Sequence, residues 1–120
     1  MRITPDVHLI GSGRVGFMMS DPFDCNVYAL RTADGIALFD CGAGMGIPQM
    51  VRHLRDDGLD PLDVTTLFLT HGHGDHAGGG AAVREAVPAV RIVSSAPVAA
   101  WLRDRDEESI GLRAARAAGV

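Results

Sequence analysis

Ten consecutive residues, Thr70-His71-Gly72-His73-Gly74-Asp75-His76-Ala77-Gly78-Gly79, constrain this chain more than any other stretch. Three of the five histidines fall within six positions there, with a carboxylate between the second and third. The preceding residues, Val64-Thr65-Thr66-Leu67-Phe68-Leu69, form an apolar, β-branched run that reads as a buried strand opening into a loop. Imidazole nitrogen and carboxylate oxygen are the donors that suit zinc and other borderline divalent ions. On extended backbone His71 and His73 project to the same side and can chelate one ion. Asp75 and His76 follow closely enough to face a neighbouring position, so the stretch has room for a second. Gly72 and Gly74 leave the backbone free to fold around a metal.

The stretch resembles the His-x-His-x-Asp-His signature of the metallo-β-lactamase-fold hydrolases and matches it at every defining position. The resemblance implies that His71 and His73 ligate one metal and that Asp75 and His76 ligate the other. Asp75 would also orient the attacking water and so act as the catalytic residue. It implies zinc, as two ions; iron or manganese are the alternatives, because an iron-dependent dioxygenase branch shares the histidines. Histidine at position 73, where a redox-active di-iron branch carries glutamate, favours the zinc-type hydrolases. The implied reaction is metal-assisted hydrolysis of a small-molecule ester, thioester, lactone, amide or phosphoester, using a water whose pKa the ions bring toward neutrality. Asp40-Cys41-Gly42 resembles the family's aspartate-x-glycine at a strand end. This implies that Asp40 hydrogen-bonds the metal loop from beneath without itself binding metal.

Composition narrows the partners. The 120 residues carry a net charge of −4 and contain no lysine, so no basic stripe is expected and nucleic acid is not an expected partner. No apolar run approaches the roughly 20 residues of a membrane span. The N-terminal residues lack the pattern of an export signal, and a cytoplasmic location is the expectation. Cys25 and Cys41 resemble neither a disulfide framework nor a zinc knuckle and are expected to be reduced and buried.

Along the chain, Val7-His8-Leu9-Ile10 reads as a first strand in which His8 is structural. Gly11-Ser12-Gly13-Arg14-Val15-Gly16 then spells G-x-G-x-x-G, the fingerprint of a nucleotide-binding oxidoreductase. That mechanism needs a helix opening at the third glycine, whereas Asp21-Pro22 interrupts after barely one turn and a strand-like segment follows. A loop is the better reading, with Phe17, Met18 and Met19 either lining a substrate entrance or packing in the core. Residues 26–40 read as a β-hairpin with Asp34-Gly35 supplying the tight turn. Residues 47–55 read as an amphipathic helix on Ile47, Met50, Val51 and Leu54, with His53 on its solvated side. Further helices are expected over 81–87, 96–102 and 110–118, and a short strand over 91–94.

This order of elements resembles the first half of the metallo-β-lactamase fold, an α/β (α+β) four-layer αββα sandwich, here as a mixed sheet with flanking helices. Residues 1–120 are expected to be the N-terminal portion of a single such domain, truncated from a longer enzyme. The family draws its remaining ligands from later strands, and no histidine follows His76. A homodimer or a complementing chain would then supply the missing half, and one sheet face is expected to lie uncovered. Two other readings compete with the hydrolase: a catalytically silent metal-binding or interaction module, and, more distantly, the oxidoreductase of Gly11 to Gly16.

Overall fold

Strand β3 (Gly35–Phe39) is the axis of the structure, a computed structural model whose described residues are 1–118. On one side it pairs antiparallel with β2 (Val27–Thr32), which pairs antiparallel with β1 (Val7–Gly11). On the other it pairs parallel with β4 (Val64–Phe68), and β4 pairs parallel with β5 (Arg91–Val93). The result is one mixed sheet in the order β1-β2-β3-β4-β5. The parallel pair needs a crossover, which α1 (Ile47–Asp56) and a 3₁₀ turn at Pro61–Asp63 provide. The remaining helices are α2 (Gly74–Ala77), α3 (Gly80–Ala86), α4 (Ala96–Asp104) and α5 (Leu112–Ala117).

Period-two alternation sends Val27 and Ala29 of β2, Ile36 and Leu38 of β3 and Leu67 of β4 into one core. Ile47, Met50 and Leu54, spaced at three and four along α1, close over them together with Val83 of α3. The opposite face carries a row of register partners running across all five strands: Leu9, Tyr28, Phe39, Phe68 and Val93. Phe39 and Phe68 stack with ring centroids 5.5 Å apart. Phe68 is 38% exposed and Val93 41%. Exposure of this row is confined to its β4–β5 end, since Leu9 is 1% exposed and Tyr28 and Phe39 are partly buried.

Several expectations are corrected. The hairpin turn is Ala33-Asp34: Gly35 already pairs with Thr32 as the first residue of β3, at φ +131°. His53 is half-buried rather than on a fully solvated side. Its Nδ1 lies 2.7 Å from the carbonyl oxygen of Ile10, because α1 packs against β1 and the ring reaches the strand end. Phe17 and Met18 do not enter the core, being 68% and 57% exposed. The loop over 11–16 opens no helix, and the strands flanking it pair antiparallel rather than as a parallel βαβ unit. This removes the oxidoreductase reading. The glycines are there for close packing, as at Gly13, where a Cβ would meet the Asp24 carbonyl at 2.3 Å. Among the described residues, no helix is long and apolar enough to cross a membrane.

Candidate metal centre

Both segments of the site leave the C-terminal ends of neighbouring parallel strands, β3 and β4. Asp40 follows β3 directly, its amide donating to the Phe68 carbonyl at 2.8 Å, and takes φ +61°. A non-glycine residue in the left-handed region costs about 1 kcal/mol, and here the carboxylate offsets that cost. Its Oδ1 accepts from the Thr70 amide at 2.8 Å. Its Oδ2 accepts from the Thr70 hydroxyl and from His76 Nδ1, both at 2.8 Å. With its side chain only 6% exposed, Asp40 ties β3 to both ends of the His-rich loop.

These bonds decide the histidine tautomers. His76 Nδ1 faces a carboxylate, an acceptor only, so it carries the proton and leaves Nε2 with a free lone pair. The single hydroxyl hydrogen of Thr70 goes to Asp40. Its oxygen therefore accepts from His71 Nδ1, 3.0 Å away, and Nε2 of His71 is free in turn. The three rings cluster, with the His71 centroid 4.1 Å from His76 and 4.7 Å from His73. Asp75 Oδ2 lies 3.5 Å from His76 Nε2. Burial, then the neighbouring His76 and His73, hold the His71 pKa below its ordinary value, which favours the neutral, ligating form. Imidazole donors with free lone pairs and an adjacent carboxylate fit a zinc-type ion.

The loop is held by its backbone as well. Its turn of helix, α2, begins at His73, whose carbonyl accepts from the His76 and Ala77 amides at 3.0 and 2.8 Å. Cys25 donates its amide to the Asp75 carbonyl at 3.1 Å and Cys41 donates to that of His76 at 2.9 Å. Gly79 must be glycine: a Cβ there would sit 2.3 Å from the Cys41 carbonyl oxygen. Trp101 of α4 presses on the loop at Gly72, and the Ile110 carbonyl accepts from the Gly74 amide at 2.8 Å.

Two further residues matter here, Asp24, which the sequence reading passed over, and Cys25, which it expected to be buried. Asp24 is 6% exposed, and its carboxylate accepts from the Ser20 hydroxyl at 2.6 Å, the Asp21 amide at 3.0 Å and the Ala43 amide at 2.9 Å. It thereby holds the loop after β1 against the glycine-rich loop after β3. Cys41 is fully buried as expected, but Cys25 is only half-buried and lies beside Asp40 and His76. Burial first, and for Cys25 then the Asp40 charge, push both thiols up to about 12. Among the described residues, the one set of three donor atoms lying within 4.8 Å of one another is Cys25, Asp40 and His76. His71, His73, Asp75 and His76 come together as neighbours rather than as a closed cage.

A cleft of about 650 Å³ opens beside His73 and Asp75, lined by Arg14, Phe23, Met45, Leu112 and Arg116 among others. Arg14 lies over the Phe23 ring at 5.3 Å, and Arg116 pairs with Glu107 at 2.6 Å.

Comparison with known proteins agrees with this architecture. Ribonuclease Z of Methanothermobacter thermautotrophicus is 46% identical over 48 residues, covering 40% of this chain and 14% of that one. Ribonuclease Z of Thermococcus kodakarensis is 35% identical over 71 residues, covering 59% and 20%. A HARLDQ-motif metallo-beta-lactamase of Cronobacter sakazakii superposes with a TM-score of 0.70 at 25% identity, covering 84% of this chain and 36% of that structure. A B3 metallo-beta-lactamase with an active-site glutamic acid gives a TM-score of 0.70 at 27% identity, covering 85% and 34%. The chain thus matches about a fifth or less of these curated relatives' length and about a third of the solved structures. Residues 20–117 match the family described as the metallo-beta-lactamase superfamily, and the chain, with its mixed sheet and flanking helices, belongs to that superfamily.

Proposed function

We propose that this chain contributes half of the active site of a metal-dependent hydrolase working with two zinc ions. His71 and His73 would hold one ion, and Asp75 and His76 the other. When bound, the ions supply Lewis acidity and make water a nucleophile near neutral pH. The protein's part is orientation. Asp40 fixes the His76 ring directly and the His71 ring through Thr70, engaging both Nδ1 atoms and leaving both Nε2 atoms free to ligate. Asp75, half-exposed beside His76, would hold the direction of an attacking water. The network centred on Asp40 is the observation that carries this reading, since a solvated His-rich loop has no use for a strained, buried carboxylate setting two tautomers.

The substrate would be a small molecule bearing an ester, thioester, lactone, amide or phosphoester, bound in the cleft beside His73 and Asp75. The ribonuclease Z relatives support the phosphoester within that set. Two donors per ion is short of the three that catalytic zinc sites take from protein. The reading therefore needs further donors from a second copy or a complementing chain or segment, seated against the exposed Phe68 and Val93. The decisive experiment measures zinc content by elemental analysis together with turnover of a panel of chromogenic esters and phosphodiesters. Loss of turnover, with the zinc content falling by one ion, is the expected result in a His71→Ala/His73→Ala variant; turnover that survives it would overturn the assignment. Metal binding without any turnover would favour the second reading, a catalytically silent metal-binding module, which the missing closed cage supports.

A further inference from the structure

Cys25 comes just before β2, far in sequence from the His-rich loop, yet its backbone and side chain both meet it. Its amide holds the Asp75 carbonyl, and its sulfur joins a carboxylate oxygen of Asp40 and a ring nitrogen of His76 in a group whose atoms all lie within 4.8 Å. Ligand atoms around a tetrahedral ion stand roughly 3.5 Å apart, given bonds of about 2.0–2.3 Å. To reach that size the Asp40–His76 pair, now 2.8 Å apart, would open and the sulfur would draw in. Sulfur, oxygen and nitrogen converge from three different segments, the approach to β2, the end of β3 and α2, so the arrangement is a product of the fold rather than of local sequence. The half-buried Cys25 and His76 leave an open side, where a water can be the fourth ligand.

We propose that Cys25, Asp40 and His76 form a metal site of their own, taking a thiophilic divalent ion such as zinc, cobalt or cadmium without help from His71 or His73. Thiolate and carboxylate together neutralise the dication, and imidazole completes a borderline-soft donor set. On binding, the sulfur–metal bond forms as the thiol proton leaves to solvent, the His76 proton moves from Nδ1 to Nε2 by way of solvent so that Nδ1 can ligate, and nothing is oxidised or reduced. The site draws on His76 and Asp40, whose shared hydrogen bond it must open. It therefore competes with the Asp75 position for His76, and soft ions favour the Cys25 side while oxygen-preferring ions such as manganese do not. The proposal stands independently of the hydrolase reading, because it needs no ion at His71 or His73 and no turnover.

The test is titration of the metal-free protein with Co²⁺ alone, followed by near-ultraviolet absorption, where sulfur-to-cobalt charge transfer reports a thiolate ligand. The band is expected in the wild type, in Cys41→Ser and in His71→Ala/His73→Ala. In Cys25→Ser it is lost, and Co²⁺ affinity falls at least about tenfold. No band in the wild type, or a band that survives Cys25→Ser, overturns the site; loss of the band in the His71/His73 double variant overturns its independence. A second measurement needs no variant: mass-spectrometric alkylation of Cys25 in the wild type, with buried Cys41 as internal reference. Zn²⁺ is expected to slow Cys25 modification at least about tenfold, and an unchanged rate overturns the proposal.

Discussion

His76 Nδ1 and Asp40 Oδ2 meet at 2.8 Å across 36 residues of sequence, and that bond joins the two segments of the metal centre. The same carboxylate grips Thr70 twice, so the first and last parts of the loop share one anchor. The anchor sits in a left-handed backbone conformation that its side-chain bonds alone make worthwhile.

Separate substitutions divide these effects. Asp40→Asn keeps the size but places an amide against donors, and zinc affinity measured calorimetrically should fall about 10–100-fold. Asp40→Gly should be more stable than Asp40→Ala by about 1 kcal/mol in urea unfolding, because glycine accepts φ +61° freely. Equal stabilities would mean that the conformation carries no strain.

Gly79→Ala tests the close approach of the two loops. The added Cβ would lie 2.3 Å from a backbone oxygen, which cannot rotate away as a side chain would. A loss of about 1–3 kcal/mol is expected from overpacking, with a lower thermal midpoint and weaker zinc binding. Unchanged melting would show that the contact relaxes without cost.

His71 should titrate below its ordinary 6.5 in the metal-free protein, by NMR, with the proton on Nδ1 in the neutral form. The sign follows from linkage. The folded state holds fewer protons here than the unfolded chain, so stability rises with pH through the window between the lowered folded value and 6.5. His71→Gln should flatten that rise. A midpoint at or above 6.5 would contradict the lowered pKa, and a neutral ring carrying its proton on Nε2 would contradict the tautomer assignment.

Asp57 accepts from buried His8 at 2.8 Å and pairs with the N-terminal ammonium at 3.1 Å. Burial raises its pKa, but the bonds from His8 and the amino terminus outweigh that, and the net shift is downward. The stability it brings is present above the unfolded value of about 3.9 and lost as pH falls through the lowered folded value. Asp57→Asn should cost about 1–3 kcal/mol at pH 7, with the difference from wild type vanishing in strong acid. A constant difference across the pH range would show that the charge is irrelevant.

What could be read from sequence alone follows the range of the interaction. The hairpin, α1 and the His-rich loop are local, governed by alternation, helical spacing and donor chemistry over a few residues. Asp40 stood out only through its resemblance to the family's aspartate-x-glycine, since an acid at a strand end before glycines also suits a simple turn. His53 was misread because its partner, the Ile10 carbonyl, lies across the sheet and has no side-chain signature. Asp24 escaped for the same reason, since two of its three donors are backbone amides. Cys25 gives no local hint of Asp40 and His76, which only the strand order brings beside it. The short α2 was hidden within a glycine-rich run, where propensity points away from helix.

Strand order here is chain order: each strand pairs with the one before it, and none waits for a later segment to be inserted. A ribosome releases such a sheet in the sequence in which it is assembled, with each new edge laid on a finished one. By the time α2 has emerged, β3 and β4 have both been made and Asp40 has its partners. The metal-binding end can therefore take shape during synthesis, before β5 is added.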